Sequence, residues 1–85
     1  MDKPLSELEK LCLEELGKRP GEFVSGSQVG LALKKSLLID GVINALVGLA
    51  LRDLAEQHER MVWKFRISES GQRWLEDYQA QEGIR

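Results

Sequence analysis

Apolar residues recur every three or four positions in several stretches of the chain, which is the period of an α-helix with one buried face. In the first stretch this stripe consists of Leu5, Leu8, Cys12 and Leu16. The pattern predicts a helix from Pro4 to Leu16. It also allows a start two residues later, because Ser6 and Glu9 have the spacing of a capping box. Gly17 is expected to follow the helix in a left-handed conformation.

Two further helices are predicted in the middle of the chain. Ser25 and Gln28 repeat the capping-box spacing, so a second helix is expected to begin at Ser25 and to close at residues 34–36. Its inward positions are predicted to be Val29, Ala32 and Leu33, with Leu31 partly inward. A third helix is predicted from Ile39 or Asp40, with Asp40 as its cap, to about Gln57. Its first part, LLIDGVINALVGLAL, holds a single charged residue, which indicates burial on several sides.

The segment RMVWKFRIS, residues 60–68, alternates apolar and polar side chains with the period of a half-buried strand. Its predicted inward positions are Met61, Trp63, Phe65 and Ile67. Its predicted partner is a short extended segment around residues 22–24. A last helix is expected from about Ser70, and the tail AQEGIR is expected to fray.

The order helix, strand, helix, helix, strand, helix resembles that of a winged helix-turn-helix domain. The stretch SGSQVGLALKKSLLIDGVINALVGLALRDLAEQ looks like the helix-turn-helix itself. FRISESGQRWL is similar to the strand-to-helix junction of MarR-type and PadR-type bacterial regulators, with the motif positions Ile67, Ser68, Gly71 and Leu75. The predicted fold is therefore α+β and mostly helical: a single winged-helix domain over residues 1–85 with a short or truncated wing and a frayed tail from about residue 80.

A second, weaker resemblance is to the LOTUS (OST-HTH) variant of the same fold, carried by GEFVSGSQVGLALKK. The two resemblances imply different functions. The first implies DNA regulation, and the second implies binding to RNA and to helicases.

Charge is strongly segregated along the chain although the net charge is only −2. Residues 18–36 and residues 60–73 each carry +3, whereas residues 1–17 and 37–59 each carry −3. In a winged helix the second helix and the wing flank the recognition helix, so these basic groups are predicted to line a rim that holds phosphates, with duplex DNA favoured over RNA. The candidate nucleic-acid contacts are Lys34, Lys35, Asn44, Arg60, Lys64 and Arg66. Asn44 is the only residue near the start of the third helix that suits base readout.

The apolar excess of the third helix favours a second function, protein interaction. A chain of 85 residues has little interior, and a large exposed apolar patch usually marks an interaction site. The candidate interface residues are Leu13, Leu37, Leu38, Val47 and Leu51, with a homodimer or another protein as the partner. Gly41, Ala45 and Gly48 form a small-residue stripe that serves either this interface or close packing inside the monomer.

Other chemistry is weakly supported. His58 is the only histidine and Cys12 the only cysteine, so neither a zinc site nor an internal disulfide can be assembled. Cys12 is expected in the core and His58 near a helix end. We therefore expect a non-enzymatic protein without cofactor or metal, located in the cytoplasm and not in a membrane. Its leading function is nucleic-acid binding as a transcriptional regulator, and the alternative is a protein-interaction module on the same scaffold.

Overall fold

The computed structural model describes residues 4–34 and 38–83, the last two by their backbone only. This part of the chain contains four helices and three short strands, which confirms the predicted α+β, mostly helical class. In chain order the elements are α1 (Glu7–Gly17), β1 (Val24–Ser25), α2 (Gly26–Ala32), α3 (Ile39–Leu51), β2 (Ala55–Gln57), β3 (Lys64–Ile67) and α4 (Glu69–Gly83). Helix α4 thus includes residues 80–83 of the tail.

Both predicted capping boxes are present. Ser6 Oγ accepts a hydrogen bond from the Glu9 backbone at 3.1 Å, and Glu9 Oε1 accepts one from the Ser6 backbone at 2.8 Å. Ser25 and Gln28 form the same reciprocal pair at the start of α2. Each box satisfies backbone donors that a helix leaves free, so α1 begins after Ser6 and not at Pro4. The prediction for Gly17 is wrong, because Gly17 is still helical and the left-handed glycine is Gly21, at φ 84°.

Helix α3 ends six residues earlier than predicted. Asp53 adopts a left-handed conformation at φ 61°; its backbone N–H donates to Ala50 O, and that of Leu54 donates to Leu49 O. These two hydrogen bonds form a Schellman motif, which ends a helix even though an aspartate stands where glycine is usual. Helix α3 starts at Ile39, as predicted, but the predicted cap is wrong: Leu38 occupies the N-cap position without a side-chain hydrogen bond, and Asp40 lies in the first turn.

The three strands form an antiparallel sheet in the order β1-β3-β2. The predicted pairing of the segment before α2 with the aromatic strand is confirmed, since Val24 pairs with Phe65. Strand β2 lies in the region predicted as helix, and it pairs with β3 through Ala55 and Ile67. Because the apolar pattern of the sequence predicts a third helix that includes residues 52–57, it does not predict the strand that forms a hairpin with β3.

The core lies between α1, α3 and the inner face of the sheet, where Phe65 occupies the central strand and is fully buried. The other fully buried large side chains are Cys12, Leu13, Leu16, Val29, Val42, Leu46 and Leu49. Phe65 and Ile67 point inward as predicted. Trp63 does not, because the strand begins only at Lys64, and the Trp63 side chain is 54% exposed. Ala32, predicted to face inward, and Leu31, predicted to face partly inward, are both exposed.

The junction between β3 and α4 is held by Ser68 and Gly71. The Ser68 hydroxyl donates to Asp53 O at 2.5 Å and accepts from the Gly71 backbone N–H at 3.0 Å, which caps α4. The Ser68 backbone N–H donates to Leu54 O. A Cβ atom on Gly71 would lie 2.0 Å from Leu54 O, so only glycine fits without movement of the backbone. The motif Ile67, Ser68, Gly71, Leu75 therefore has a structural explanation that is independent of any ligand.

Candidate functional site

On the outer face of the sheet, a neighbouring carboxylate largely compensates the positive charge of Arg66. Lys64 and Arg66 alternate with inward-facing residues along β3 and are both partly buried. Arg66 Nε donates to Glu56 Oε1 on the neighbouring strand at 2.5 Å, and its guanidinium group lies 4.6 Å from the centre of the Phe23 ring. An arginine held between a carboxylate and an aromatic face is poorly placed to bind phosphate.

The loop between β2 and β3 is organised by two side chains. His58 Nδ1 accepts hydrogen bonds from the backbone N–H groups of Arg60 and Met61, both at 3.1 Å. Gln57 Nε2 donates to Val62 O at 2.6 Å. His58 also packs edge-on against the ring of Phe23 at a centroid distance of 4.8 Å. His58 thus organises the loop between β2 and β3. Its sequence context predicted a position near a helix end, and that prediction is wrong.

A shallow hollow of about 510 Å³ lies beside this loop, lined by Phe23, residues 56–60 and Arg66. Two acidic side chains, Glu56 and Glu59, share it with Arg60 and Arg66. The hollow therefore has mixed charge and does not offer an anion a uniformly basic surface.

The predicted nucleic-acid contacts do not form one continuous basic rim in the described residues. Arg60 and Arg66 come together, but with the two glutamates. Lys34 follows the far end of α2, whereas the hairpin loop contacts the first residue of α2 through a hydrogen bond from Gly26 N to Trp63 O at 3.1 Å. Asn44 is exposed on α3, and Lys35 lies outside the described residues.

The outward face of α3 lacks the basic side chains that are typical of a phosphate-binding surface. Its buried residues are Val42, Ala45, Leu46 and Leu49. At 100° per residue, the positions opposite this buried stripe are Asp40, Asn44, Val47 and Leu51. No lysine or arginine occurs in α3, and its one charged residue is Asp40.

An apolar ridge runs along this face. Ile43, Val47 and Leu51 follow one another at intervals of four residues, so their side chains form a continuous row on the helix surface. We call this row the α3 ridge. Leu51 is 82% exposed and Ile43 37% exposed, whereas Val47 is partly buried against the core.

The hairpin loop between β2 and β3 carries two further exposed apolar side chains. Val62 and Trp63 are each about half exposed. A Cβ atom on Gly26 would lie 3.0 Å from Ile43 Cγ1, and Gly26 N is bonded to Trp63 O, so the loop and the α3 ridge flank the same residue. Because Gly26 has no side chain, Ile43 can approach the start of α2.

The predicted interface residues have different fates. Leu38 and Leu51 are exposed, in agreement with the prediction, and Val47 is partly buried. Leu13 is fully buried and cannot meet a partner, because α1 packs that side chain into the core. Leu37 lies outside the described residues. Sequence reasoning missed Ile43, whose spacing from Val47 and Leu51 was visible, and it placed Trp63 in the core because the alternation around it was regular.

Reactive chemistry has little support in the described part of the chain. No three His, Cys, Asp or Glu side chains there come together in a way that could hold a metal ion. Burial, followed by the negative charge of Glu9, raises the pKa of the Cys12 thiol from 9.0 to about 11. The thiol is therefore poorly suited to act as a nucleophile at neutral pH.

Comparison of the chain with protein-family models, with curated proteins and with solved structures gives no match. Among residues 4–34 and 38–83, no helix is both long enough and apolar enough to cross a membrane.

Proposed function

We propose that this chain is a non-enzymatic protein-interaction module on a winged-helix scaffold, and that it binds a partner protein through the outward face of α3. The order of elements and the β1-β3-β2 sheet support the winged-helix assignment, with the β2–β3 hairpin as a short wing. The buried, unpaired Cys12 fits a reducing compartment such as the cytoplasm.

The observation that carries this proposal is the chemistry of the α3 face. In a DNA-binding winged helix, the corresponding helix enters the major groove and presents donors to bases and phosphates. Here that face presents a carboxylate, Asp40, and a highly exposed leucine, Leu51. Only Asn44 can form a bidentate hydrogen bond with a base. Such a surface repels a phosphate backbone and gains from contact with another apolar surface.

The gain from docking is appreciable. Full burial of a leucine side chain is worth about 1.5–3 kcal/mol, and Leu51 is mostly exposed in the isolated chain. Trp63, in the hairpin loop directly before β3, is also about half exposed, and tryptophan is among the residues that most often dominate the energy of protein interfaces. Leu51 on the α3 ridge and Trp63 in the hairpin loop are thus the exposed side chains that gain most from contact with an apolar partner surface.

Nucleic-acid binding remains the second candidate, favoured by the exposure of Lys34 and Arg60. It predicts phosphate contacts by the hairpin and α2, without insertion of α3 into a groove. About five such contacts on duplex DNA give a log–log salt dependence of roughly −4 to −5.

The test combines two measurements on the full chain. A photo-crosslinking amino acid at position 51 is expected to give a discrete protein adduct in cells, whereas the same group at position 80, exposed on α4, is not. The adduct counts only if the captured protein, once purified, binds the wild-type chain and fails to bind Leu51→Lys. In parallel, the fluorescence anisotropy of a labelled duplex is followed at low salt. Tight, salt-sensitive duplex binding without an adduct at position 51 would establish the second candidate instead.

A further inference from the structure

We propose that the loop between β2 and β3 responds to pH. It is closed while the His58 imidazole is neutral, and residues 59–61 are released when Nδ1 of His58 takes up a proton. This inference goes beyond the proposed function and does not depend on what the α3 face binds. It is carried by the hydrogen bonds that the His58 ring makes with the backbone of the loop.

In the closed loop, Nδ1 of His58 acts only as an acceptor. The backbone N–H groups of Arg60 and Met61 both donate to it, each at 3.1 Å. A neutral imidazole has one N–H group and one acceptor nitrogen, so the proton of the neutral His58 ring is on Nε2. A second proton can be added only at Nδ1, where it would point at two other N–H groups. Protonation therefore removes both hydrogen bonds and leaves three donors facing one another.

His58 takes the part that an asparagine or aspartate side chain plays in many turns. In such turns a side-chain oxygen accepts hydrogen bonds from backbone N–H groups two or three residues further along the chain. An asparagine side chain accepts at any pH. Histidine, in contrast, ordinarily changes its charge between about pH 5 and pH 8. With His58 as the acceptor, the turn is complete when the ring is neutral and is lost as the pH falls.

The aromatic neighbour of His58 gives little support to a charged ring. Phe23 packs against the His58 ring with a centroid distance of 4.8 Å. The same Phe23 ring already has the Arg66 guanidinium group at 4.6 Å from its centre. A second cation beside this ring would be repelled by the first, so the aromatic contact favours the neutral form of His58.

The charged groups around His58 have the same tendency. They belong to β2, to the loop and to β3, and they are Glu56, Glu59, Arg60, Lys64 and Arg66. Lys64 lies opposite His58 in the hairpin, since its carbonyl oxygen accepts a hydrogen bond from the His58 backbone. One of the two carboxylates, that of Glu56, is already paired with Arg66 at 2.5 Å. Three cations thus accompany two anions, and an additional positive charge at His58 gains no net compensation from them.

Only the first half of the loop depends on His58. The second half is held by groups that do not titrate in this range: Gln57 Nε2 donates to Val62 O at 2.6 Å, and Gly26 N donates to Trp63 O at 3.1 Å. We therefore expect residues 59–61 to move when the pH falls, while Val62 and Trp63 keep their positions. The pH change thus alters the position of Arg60 beside the hollow and leaves the sheet intact.

Nuclear magnetic resonance of the full chain, labelled with nitrogen-15, tests this inference between about pH 8 and pH 4.5. The imidazole nitrogen shifts should show a proton on Nε2 alone at the upper pH and proton uptake at Nδ1 as the pH falls. With the same midpoint, the protection of the Arg60 and Met61 amides against exchange with water should fall about tenfold, because each loses its acceptor. The Gly26 amide should keep its protection. Unchanged protection at Arg60 and Met61 beside a doubly protonated ring, or a proton on Nδ1 at the upper pH, would overturn the inference.

His58→Asn is the matched variant. Its side-chain oxygen can accept from the same two N–H groups and does not titrate, so their protection should be equal at both ends of the pH range. If protection in His58→Asn falls with pH as it does in the wild-type chain, the carboxylates of Glu56 and Glu59 control the loop and the inference is wrong. Should this variant not fold, the wild-type titration decides by itself. Neither result affects the proposed function, which the crosslink from position 51 tests on α3.

Discussion

Replacement of Gly71 by alanine is expected to destabilise the protein strongly, although alanine is the better helix former. Gly71 lies in the first turns of α4, where its Cα atom approaches the backbone of the turn before β2. An added Cβ would lie 2.0 Å from Leu54 O and 2.8 Å from Ile67 Cγ1. Because the closer of these atoms belongs to the backbone, a rotamer change cannot relieve the overlap.

The expected magnitude follows from three contributions. Overpacking of this kind costs about 1–3 kcal/mol. Movement of Leu54 also weakens the hydrogen bond from Ser68 N to Leu54 O, which is worth about 1 kcal/mol. Alanine regains about 1 kcal/mol of helix propensity. The net loss in the free energy of unfolding is therefore about 1–3 kcal/mol, or a decrease in Tm of roughly 5–20 °C for a domain of this size.

A second Gly→Ala change provides the control. At Gly41 in α3, an added Cβ meets only Leu8 Cδ2, at the ordinary contact distance of 3.5 Å. Gly41→Ala should therefore gain about 0.5–1 kcal/mol from helix propensity and chain entropy. Urea and thermal unfolding, followed by circular dichroism, measure both variants. If Gly71→Ala proves as stable as Gly41→Ala, the close approach of Gly71 to Leu54 O is not present in solution and the reasoning fails.

Three further predictions concern single side chains. Ser25→Ala should lower the free energy of unfolding by about 1 kcal/mol, because the α2 capping box is lost. Ser27→Ala, at an exposed position two residues further along the chain, serves as a neutral control in the same thermal melts. Folding raises the pKa of the Cys12 thiol to about 11, so the contribution of the buried thiol to stability is complete below pH 9 and is lost as the pH rises towards 11. Thiolate absorbance at 240 nm, corrected with Cys12→Ala, should show ionisation of the folded protein near pH 11. Ionisation below pH 9 would contradict the burial of this thiol. His58→Ala should lower the free energy of unfolding by about 1–2 kcal/mol and speed amide exchange at Arg60 and Met61, whose N–H groups lose their acceptor; unchanged exchange there would show that the loop does not depend on His58.

Local signals predicted the helix starts well because they depend on neighbouring residues alone. The pairs Ser6 with Glu9 and Ser25 with Gln28 satisfy each other's backbone groups, so their spacing is sufficient evidence. The pairing of β1 with β3 was also predictable, since the apolar alternation around Phe65 needs a partner strand.

The end of α3 and the hairpin could not be predicted in this way. The sequence LRDLAEQ continues the helical period through Leu54, and nothing in the residue types shows that Asp53 adopts a left-handed conformation. Without that turn, β2 was not visible and the alternation of β3 was extended back to Met61. Trp63 was consequently placed in the core, whereas the loop fixed by His58 and Gln57 directs it outward.

The candidate site was only partly predictable for a related reason. Whether an apolar residue of a helix faces the core or the solvent depends on which face the other elements cover: Leu13 of α1 is fully buried, whereas Leu51 of α3 is exposed. Of the basic residues, Lys34 and Arg60 are exposed, and Lys64 and Arg66 are partly buried. Their neighbours were not predicted, since the contact between Arg66 and Glu56 depends on the unpredicted strand β2.

The two tryptophans occupy different surroundings, and this gives the protein a built-in optical signal. Trp74 stacks on Tyr78 along α4 with ring centres 5.1 Å apart, while Trp63 is about half exposed in the hairpin loop directly before β3. Emission from a Trp74→Phe variant would come from Trp63 alone. Its spectrum should shift to shorter wavelength whenever another molecule covers this side chain, so occupancy of this region can be followed without an attached dye.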